Sequence, residues 1–106
     1  MQSEEASARN IGITPEKIAS TTSLSIAPNP SSGLTNLKFN LSETGKISVA
    51  IYDARGVLVK QLVRDELYQQ GNHELQYKPN NQAYGLYYVI LRQDTEIVKQ
   101  KLIIVR

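Results

Sequence analysis

The chain has 106 residues, with 12 Lys and Arg, 10 Asp and Glu, and no cysteine. This length allows one domain, and a net charge of +2 is too small for the dense basic surface that nucleic-acid phosphates require. Disulfides and thiol chemistry are excluded, and no apolar run is long enough to span a bilayer.

The N-terminal 22 residues differ from the rest of the chain. They are rich in Ser, Thr, Ala and Glu, contain no aromatic residue and show no sustained periodicity. This composition is typical of a linker or tail, in which residues 14–19 are compatible with one helical turn. Because the first residues lack the apolar segment of a signal peptide, we interpret the chain as part of a larger protein whose folded domain spans residues 23–106.

After the linker, the hydrophobic residues recur with a period of two, which is typical of half-buried β-strands. Leu24 and Ile26 alternate with serines until Pro28 and Pro30 end this first strand, because proline cannot donate a hydrogen bond to a sheet ladder. Gly33 is expected to permit a tight turn back toward the next strand.

Two alternating runs, at residues 37–41 and 47–52, predict the next two strands. The segment from Asp53 to Gly56 has the form of a type I turn that ends on a glycine with a positive φ. The Asp53 side chain is expected to hydrogen-bond back to the turn backbone, and the turn joins a strand at residues 57–63 in a hairpin.

The remainder of the chain continues this pattern. A polar stretch leads to an alternating run at residues 73–77, a loop, a strongly hydrophobic strand at residues 86–93 that is expected mid-sheet, and a last strand from Ile97 to Val105. About seven short strands separated by turn signals predict an all-β fold, an immunoglobulin-like antiparallel β-sandwich, with a small closed barrel as the alternative.

Residues that carry chemistry are few and scattered. The single histidine, His73, lies in an alternating strand without the partners of a metal site or a catalytic triad. Asp53, Asp65 and Asp94 lie in or beside turns, and the glycines fall at separate turns rather than in a phosphate-binding cluster. We therefore expect no enzymatic activity, no cofactor and no metal.

Six tyrosines raise the hypothesis of carbohydrate binding, since exposed aromatic rings stack on sugars. Tyr84, Tyr87 and Tyr88 are close in sequence, but Tyr87 and Tyr88 are consecutive in a strand and point to opposite faces. At least one is expected in the core, so structural packing is favoured. The last strand also allows two interpretations: an edge strand protected by lysines, or a recognition element whose backbone groups are available for strand addition to a receptor, with basic residues beside them.

Four segments occur in an order that resembles a known family. They are APNPSSG at residues 27–33, YDARGVLVK at 52–60, YGLYYVIL at 84–91 and VKQKLIIVR at 98–106. Together they resemble the C-terminal sorting domain of type IX secretion (Por secretion) cargo, a module found at the end of many secreted Bacteroidetes proteins. The resemblance covers residues 23–106.

The resemblance implies a non-catalytic signal that outer-membrane components of type IX secretion recognise after the cargo reaches the periplasm. The implied partners are the translocon, a shuttle protein, a sortase-like peptidase and the N-terminal cargo domain. The cargo is then attached to the outer membrane at the cell surface or secreted. The peptidase normally cleaves in the upstream linker, here residues 1–22. Small residues that fit a tight cleft there are Ala6, Ser7, Ala8, Ala19 and Ser20.

The resemblance also assigns recognition residues to four motifs. The proline motif consists of Pro28, Asn29, Pro30 and Gly33. The turn motif consists of Tyr52, Asp53, Gly56, Leu58 and Val59. The glycine-aromatic motif consists of Tyr84, Gly85, Tyr87 and Tyr88. The terminal recognition strand consists of Lys99, Lys101, Leu102, Ile103, Ile104, Val105 and Arg106. Here Gln100 separates two lysines that are frequently adjacent in the family, which is a departure in the charged part of the motif.

Two other functions stay open at this point. One is an adhesive or carbohydrate-binding β-sandwich module, and the other is a retained surface-docking domain of a secretion-machinery component. An exposed edge strand next to an N-terminal arm also allows a strand-exchanged homodimer.

Overall fold

The computed structural model of the chain describes residues 21–79 and 82–105. These residues form seven strands and no helix: β1 (Ser23–Ala27), β2 (Thr35–Leu41), β3 (Gly45–Asp53), β4 (Leu58–Tyr68), β5 (Gly71–Tyr77), β6 (Gly85–Gln93) and β7 (Glu96–Ile104). No membrane-spanning helix is found among the described residues. The helical turn predicted at residues 14–19 and nearly all of the predicted linker lie outside them.

The strands form two separate antiparallel sheets. One has three strands in the order β1-β2-β5, and the other has four in the order β4-β3-β6-β7. The predicted seven-stranded all-β sandwich is therefore confirmed, and the described strands do not close into a barrel. Strand β6, the most hydrophobic, lies between β3 and β7, as its composition predicted.

The core lies between the two sheets and contains every second side chain of the central strands. The buried hydrophobic residues of this core are Leu24, Leu37, Phe39, Leu41, Ile47, Val49, Ile51, Val63, Tyr77, Tyr87, Val89, Leu91, Leu102 and Ile104. Burying each large apolar side chain stabilises the fold by about 1.5–3 kcal/mol. The period of two seen in the sequence is thus the pattern of these inward-facing residues.

Strand β4 is longer than the sequence predicted. Residues 64–68 continue this strand, although the charged side chains of residues 64–66 indicate a polar connection in the sequence. Bulges interrupt the register between β3 and β4, and Asp65 has a φ of 50° where its N–H donates to the Ser48 hydroxyl at 3.0 Å. Asp65 therefore lies inside a bulged edge strand rather than in a turn. Bulges and exposed charges break the alternation that identifies strands in a sequence.

His73 has a packing role in this fold. Its ring stacks on Phe39 with the ring centres 5.4 Å apart, and it meets the edge of Tyr68 at 5.0 Å. Its Nε2 lies 2.6 Å from the carbonyl oxygen of Gln69. Among the described residues, no group of three His, Cys, Asp or Glu side chains is arranged to hold a metal ion. The geometry therefore makes His73 part of an aromatic cluster between the sheets.

Replacing Leu37 with Ala removes a side chain that is 0% exposed from the centre of the core. We expect the free energy of unfolding to fall by about 2–5 kcal/mol, because both lost burial and the remaining cavity destabilise the native state. Urea denaturation followed by circular dichroism measures this loss. The control is Leu67→Ala, at a side chain that is 68% exposed. An equal loss in both variants would contradict the assignment of the core.

Candidate functional site

Strand β7 is paired along both edges in its C-terminal half. On one edge, β6 pairs with it along its whole length. On the other edge, the segment that follows β1 runs parallel to it: the Ser31 N–H donates to the Ile103 carbonyl at 2.7 Å, and the Val105 N–H donates to the Ser31 carbonyl at 2.8 Å. The last strand is therefore enclosed between two neighbours at this end.

The side chain of Asn29 extends this pairing. Its Nδ2 donates to the carbonyl oxygen of Lys101 at 2.8 Å, and its Oδ1 accepts a hydrogen bond from the Ile103 N–H at 3.0 Å. The amide thus makes the two bonds that a backbone peptide group makes in a sheet. The flanking Pro28 and Pro30, both preceded by cis peptide bonds, have no N–H to supply such a bond.

A buried hydroxyl cluster restrains the turn that follows. Ser31 and Thr35 are both 0% exposed, and their hydroxyl oxygens lie 2.5 Å apart. The carbonyl oxygen of Gly33 lies 2.9 Å from the Ser31 hydroxyl and 3.2 Å from the Thr35 hydroxyl, so one hydroxyl proton joins the two side chains and the other is donated to this carbonyl. Gly33 itself does not adopt a positive φ. The predicted turn is therefore built by side-chain hydrogen bonds rather than by the left-handed freedom of glycine.

This pairing limits how β7 can bind another chain through its backbone. The interpretation of β7 as an open strand for receptor addition is wrong for residues 101–105, because Asn29 and Ser31 occupy that edge. In an antiparallel strand, the backbone groups that face away from a neighbour recur at every second residue. The remaining outward groups of β7 are therefore those of Ile97 and Lys99.

The turn between β3 and β4 has the predicted geometry. Gly56 has a φ of 89° and its N–H donates to the Asp53 carbonyl at 2.9 Å. One Asp53 carboxylate oxygen accepts the N–H groups of Arg55 and Val57, each at 2.9 Å, and the other accepts the Arg55 guanidinium at 3.0 Å. The hydrogen bond from Val57, followed by that from the Arg55 side chain, lowers the pKa of Asp53 below its ordinary value of 3.8. The ionised form therefore stabilises this turn.

The outer face of the four-stranded sheet brings residues of three predicted motifs together. Tyr52 of β3 lies opposite Tyr88 of β6, and Tyr88 lies opposite Lys101 of β7. The Nζ of Lys99 is 4.8 Å from the centre of the Tyr88 ring, which is a cation–π contact. We call Tyr52, Tyr88, Lys99 and Lys101 the tyrosine–lysine face.

A shallow groove of about 490 Å³ runs along this face. Its described lining consists of Tyr52, Ala54, Arg55, Gly56, Tyr88, Ile90, Arg92 and Lys99. The two tyrosines and Ile90 form a half-buried floor. Arg55 is bound to Asp53, whereas Arg92 and Lys99 have no carboxylate partner among the described residues. The groove thus combines an apolar floor with uncompensated positive charge.

The remaining motif residues serve the core, the strand ends or the surface. Those that pack in or against the core are Val59, Tyr87, Leu102 and Ile104. Gly85 begins β6 with a φ of 144°. Exposed residues are Leu58, Tyr84, Ile103 and Val105. Arg106 lies outside the described residues. Tyr87 and Tyr88 point to opposite faces, as their consecutive positions in one strand predicted.

Sequence reasoning missed four residues of this site. Ser31 and Thr35 gave no signal, because short hydroxyl residues near prolines are ordinary in loops. Ile90 and Arg92 did give one, since they lie two and four residues after Tyr88 and share its face in a strand. Extending the alternation from Tyr88 along β6 would have found both.

Comparisons with known proteins give one family and one fold. The chain matches the family described as "Secretion system C-terminal sorting domain" over residues 25–105. No curated protein sequence matches it. A crystal structure of dimeric latent PorU from Porphyromonas gingivalis is similar with a TM-score of 0.59 and 18% identity, covering 79% of this chain and 9% of that one. This likeness concerns the fold, and the chain spans a small part of that protein's length.

Replacing Asn29 with Ala removes both hydrogen bonds to β7. We expect the free energy of unfolding to fall by about 1–3 kcal/mol, and the amide protons of Ile103 and Val105 to exchange faster with solvent. Hydrogen exchange followed by NMR measures both effects. Asn40→Ala is the matched control, because it removes a side-chain bond to Asn72 on an exposed surface. Unchanged exchange at Ile103 in the Asn29 variant would contradict the pairing.

Replacing Asp53 with Asn tests the electrostatic part of the turn. Because the pKa of Asp53 is lowered in the folded state, its contribution to stability is present above the unfolded pKa and is lost as the pH falls through the folded pKa. The variant is therefore expected to unfold at lower urea than the native chain at pH 7, and the difference should narrow in acid. Urea midpoints measured from pH 7 down to about pH 2 check this. A difference independent of pH would refute it.

Proposed function

The chain belongs to the family of secretion system C-terminal sorting domains, and from this membership we propose how its signal is built and used. The domain is the type IX C-terminal sorting signal, which directs a protein for export to the cell surface or for secretion. The sorting-signal family is non-catalytic. We assign the signal to residues 23–106, with no enzymatic activity of their own.

The structural part of the proposal rests on one observation: the Asn29 side chain is hydrogen-bonded to β7. The bonds from its side chain join residues that are 72 and 74 positions apart in the chain. Strand β7 therefore acquires these hydrogen bonds only after the two ends of the domain have come together in the fold. A receptor that binds β7 while it is hydrogen-bonded to Asn29 would bind folded domains and reject unfolded chains. In an unfolded chain, the backbone and side chains of β7 have no fixed positions.

The motif residues divide into two roles under this proposal. Exposed side chains of β7 and of the tyrosine–lysine face contact the secretion machinery directly. The proline motif and the buried residues of β7 position that surface and do not themselves touch the receptor. This division supports an indirect role for the prolines: they end β1 and leave pairing with β7 to Asn29 and Ser31.

The remaining steps follow the family resemblance. The cargo passes through the periplasm, and the translocon and a shuttle protein engage the folded domain. A sortase-like peptidase then cleaves within residues 1–22, and the cargo is attached to the outer membrane or released. The small residues Ala6, Ser7, Ala8, Ala19 and Ser20 are the candidate cleavage positions. Cleavage would remove the domain once its signal has been read.

A reporter experiment tests this proposal. An exportable fluorescent reporter is fused before residues 1–106 and expressed in a strain with an active type IX system. We expect surface delivery and loss of a fragment of the size of the domain, measured by cell-surface immunolabelling and immunoblotting. Deleting residues 101–106 should abolish delivery, because it removes the end of β7 that pairs with Asn29 and Ser31. Asn29→Ala should reduce delivery, because it removes two of the hydrogen bonds that hold β7.

The exposed substitution Leu67→Ala is the control and should leave delivery unchanged. Full delivery of the truncated fusion would refute the role assigned to β7. A delivered fusion that keeps its domain would instead identify a retained docking domain and contradict the proposed cleavage.

A further inference from the structure

The two outer faces of the sandwich differ in chemistry. On the three-stranded sheet, the outward side chains form polar rows such as Ser23, Asn40 and Asn72, which are adjacent in the register. The Asn40 amide donates to the Asn72 side-chain oxygen at 2.7 Å, so two members of this row bind each other. The four-stranded sheet instead presents tyrosines, aliphatic residues and cations that have no carboxylate partner within residues 21–79 and 82–105. The four-stranded sheet therefore combines apolar side chains with cations on one outer face.

Strand β7 carries an ordered pattern on that face. Its outward side chains alternate with those that face the core, and in chain order they are Ile97, Lys99, Lys101 and Ile103. Ile97 is 55% exposed and Ile103 is 38% exposed. Successive outward side chains of a strand are about 6.5–7 Å apart. We call these four residues the β7 stripe, which runs apolar, positive, positive, apolar.

The groove described above adjoins this stripe. Ile90 lies opposite Lys99 in the register, and Arg92 lies opposite Ile97. The groove contains no Asp or Glu among its described lining residues. A ligand on this face would therefore meet positive charge from Arg92, Lys99 and Lys101 together with apolar surface from both strands.

We propose that the β7 stripe and the adjoining groove dock an extended acidic protein segment. Its side chains at alternate positions run apolar, acidic, acidic, apolar. An extended segment has the same repeat as β7, so its two carboxylates reach Lys99 and Lys101 while its apolar ends cover Ile97 and Ile103. The inference rests on the proposed function, because it names the chemistry of the partner surface that reads the sorting signal.

A protein segment fits this face better than a lipid surface does. The two tyrosines and Ile90 are half-buried, and the Lys99 Nζ lies over the Tyr88 ring at 4.8 Å. Binding within a membrane interface buries apolar groups about 5–10 Å deep, and burying this floor would also desolvate the Lys99 ammonium that lies over it. An isolated phosphate group would satisfy the cations but leave Ile97 and Ile103 uncovered. The combination of spaced charge and apolar ends therefore favours a polypeptide.

The test measures binding of a labelled synthetic peptide, Leu-Thr-Glu-Thr-Glu-Thr-Leu, to the 106-residue chain by fluorescence anisotropy at low salt. We expect saturable binding that weakens as salt is added, and no binding of the same peptide with Gln in place of Glu. Lys99→Gln combined with Lys101→Gln should weaken binding about tenfold. Ile97→Ser should also weaken it.

Matched controls lie away from the face. Lys38→Gln combined with Lys78→Gln makes the same change in net charge, and Leu34→Ser removes an apolar side chain that is 48% exposed. Both should bind the peptide as the native chain does. Equal weakening in the controls, or binding of vesicles with anionic lipids but not of the peptide, would overturn the inference.

The reporter fusion separates this inference from the proposed function. Surface delivery that survives the double substitution at Lys99 and Lys101, together with no peptide binding, would refute the acidic partner and leave the sorting function standing. Peptide binding that depends on these lysines, in a domain that fails to deliver the reporter, would support the docking surface and refute the sorting function for this chain.

Discussion

The structure depends on the segment that leaves β1 and pairs with β7. Strand β1 belongs to the three-stranded sheet, yet Asn29 and Ser31, a few residues later, hydrogen-bond the last strand of the other sheet. A single stretch of backbone therefore connects the two sheets at one side of the sandwich. The buried hydroxyls of Ser31 and Thr35 hold this crossing in place, because together with the Gly33 carbonyl they satisfy one another's hydrogen-bonding groups away from water.

That crossing gives a structural role to a short motif without reactive groups. The prolines end the pairing of β1 with β2. The Asn29 side chain then makes hydrogen bonds to β7 that the prolines, which have no N–H, cannot donate. An open sheet edge would otherwise expose backbone N–H and C=O groups that can pair nonspecifically with other chains. Because Asn29 and Ser31 cover the backbone edge of β7 at residues 101–105, the outward side chains of β7 are the groups that remain accessible there. Under the proposed function, these outward side chains form the recognition surface.

The sequence predicts the strands correctly where buried and exposed side chains alternate strictly along the chain. Val89 and Leu91 face the core and Tyr88 and Ile90 face outward, and this period of two is visible in the residues alone. The reading failed in β4, where Asp65 adopts a positive φ within a bulge and exposed charges replace the apolar pattern. Nothing local marks such a bulge, because it is fixed by the register with β3, through contacts such as the one from Asp65 to Ser48.

The sequence by itself determined the all-β class, the strand alternation and the geometry of the turn from Asp53 to Gly56, because these depend on residues close together in the chain. Only the tertiary structure decided that Asn29 binds β7 and that Tyr52, Tyr88 and Lys101 share one row. Such contacts join positions far apart in the chain, and their choice depends on sheet order and register, which local residue patterns do not encode.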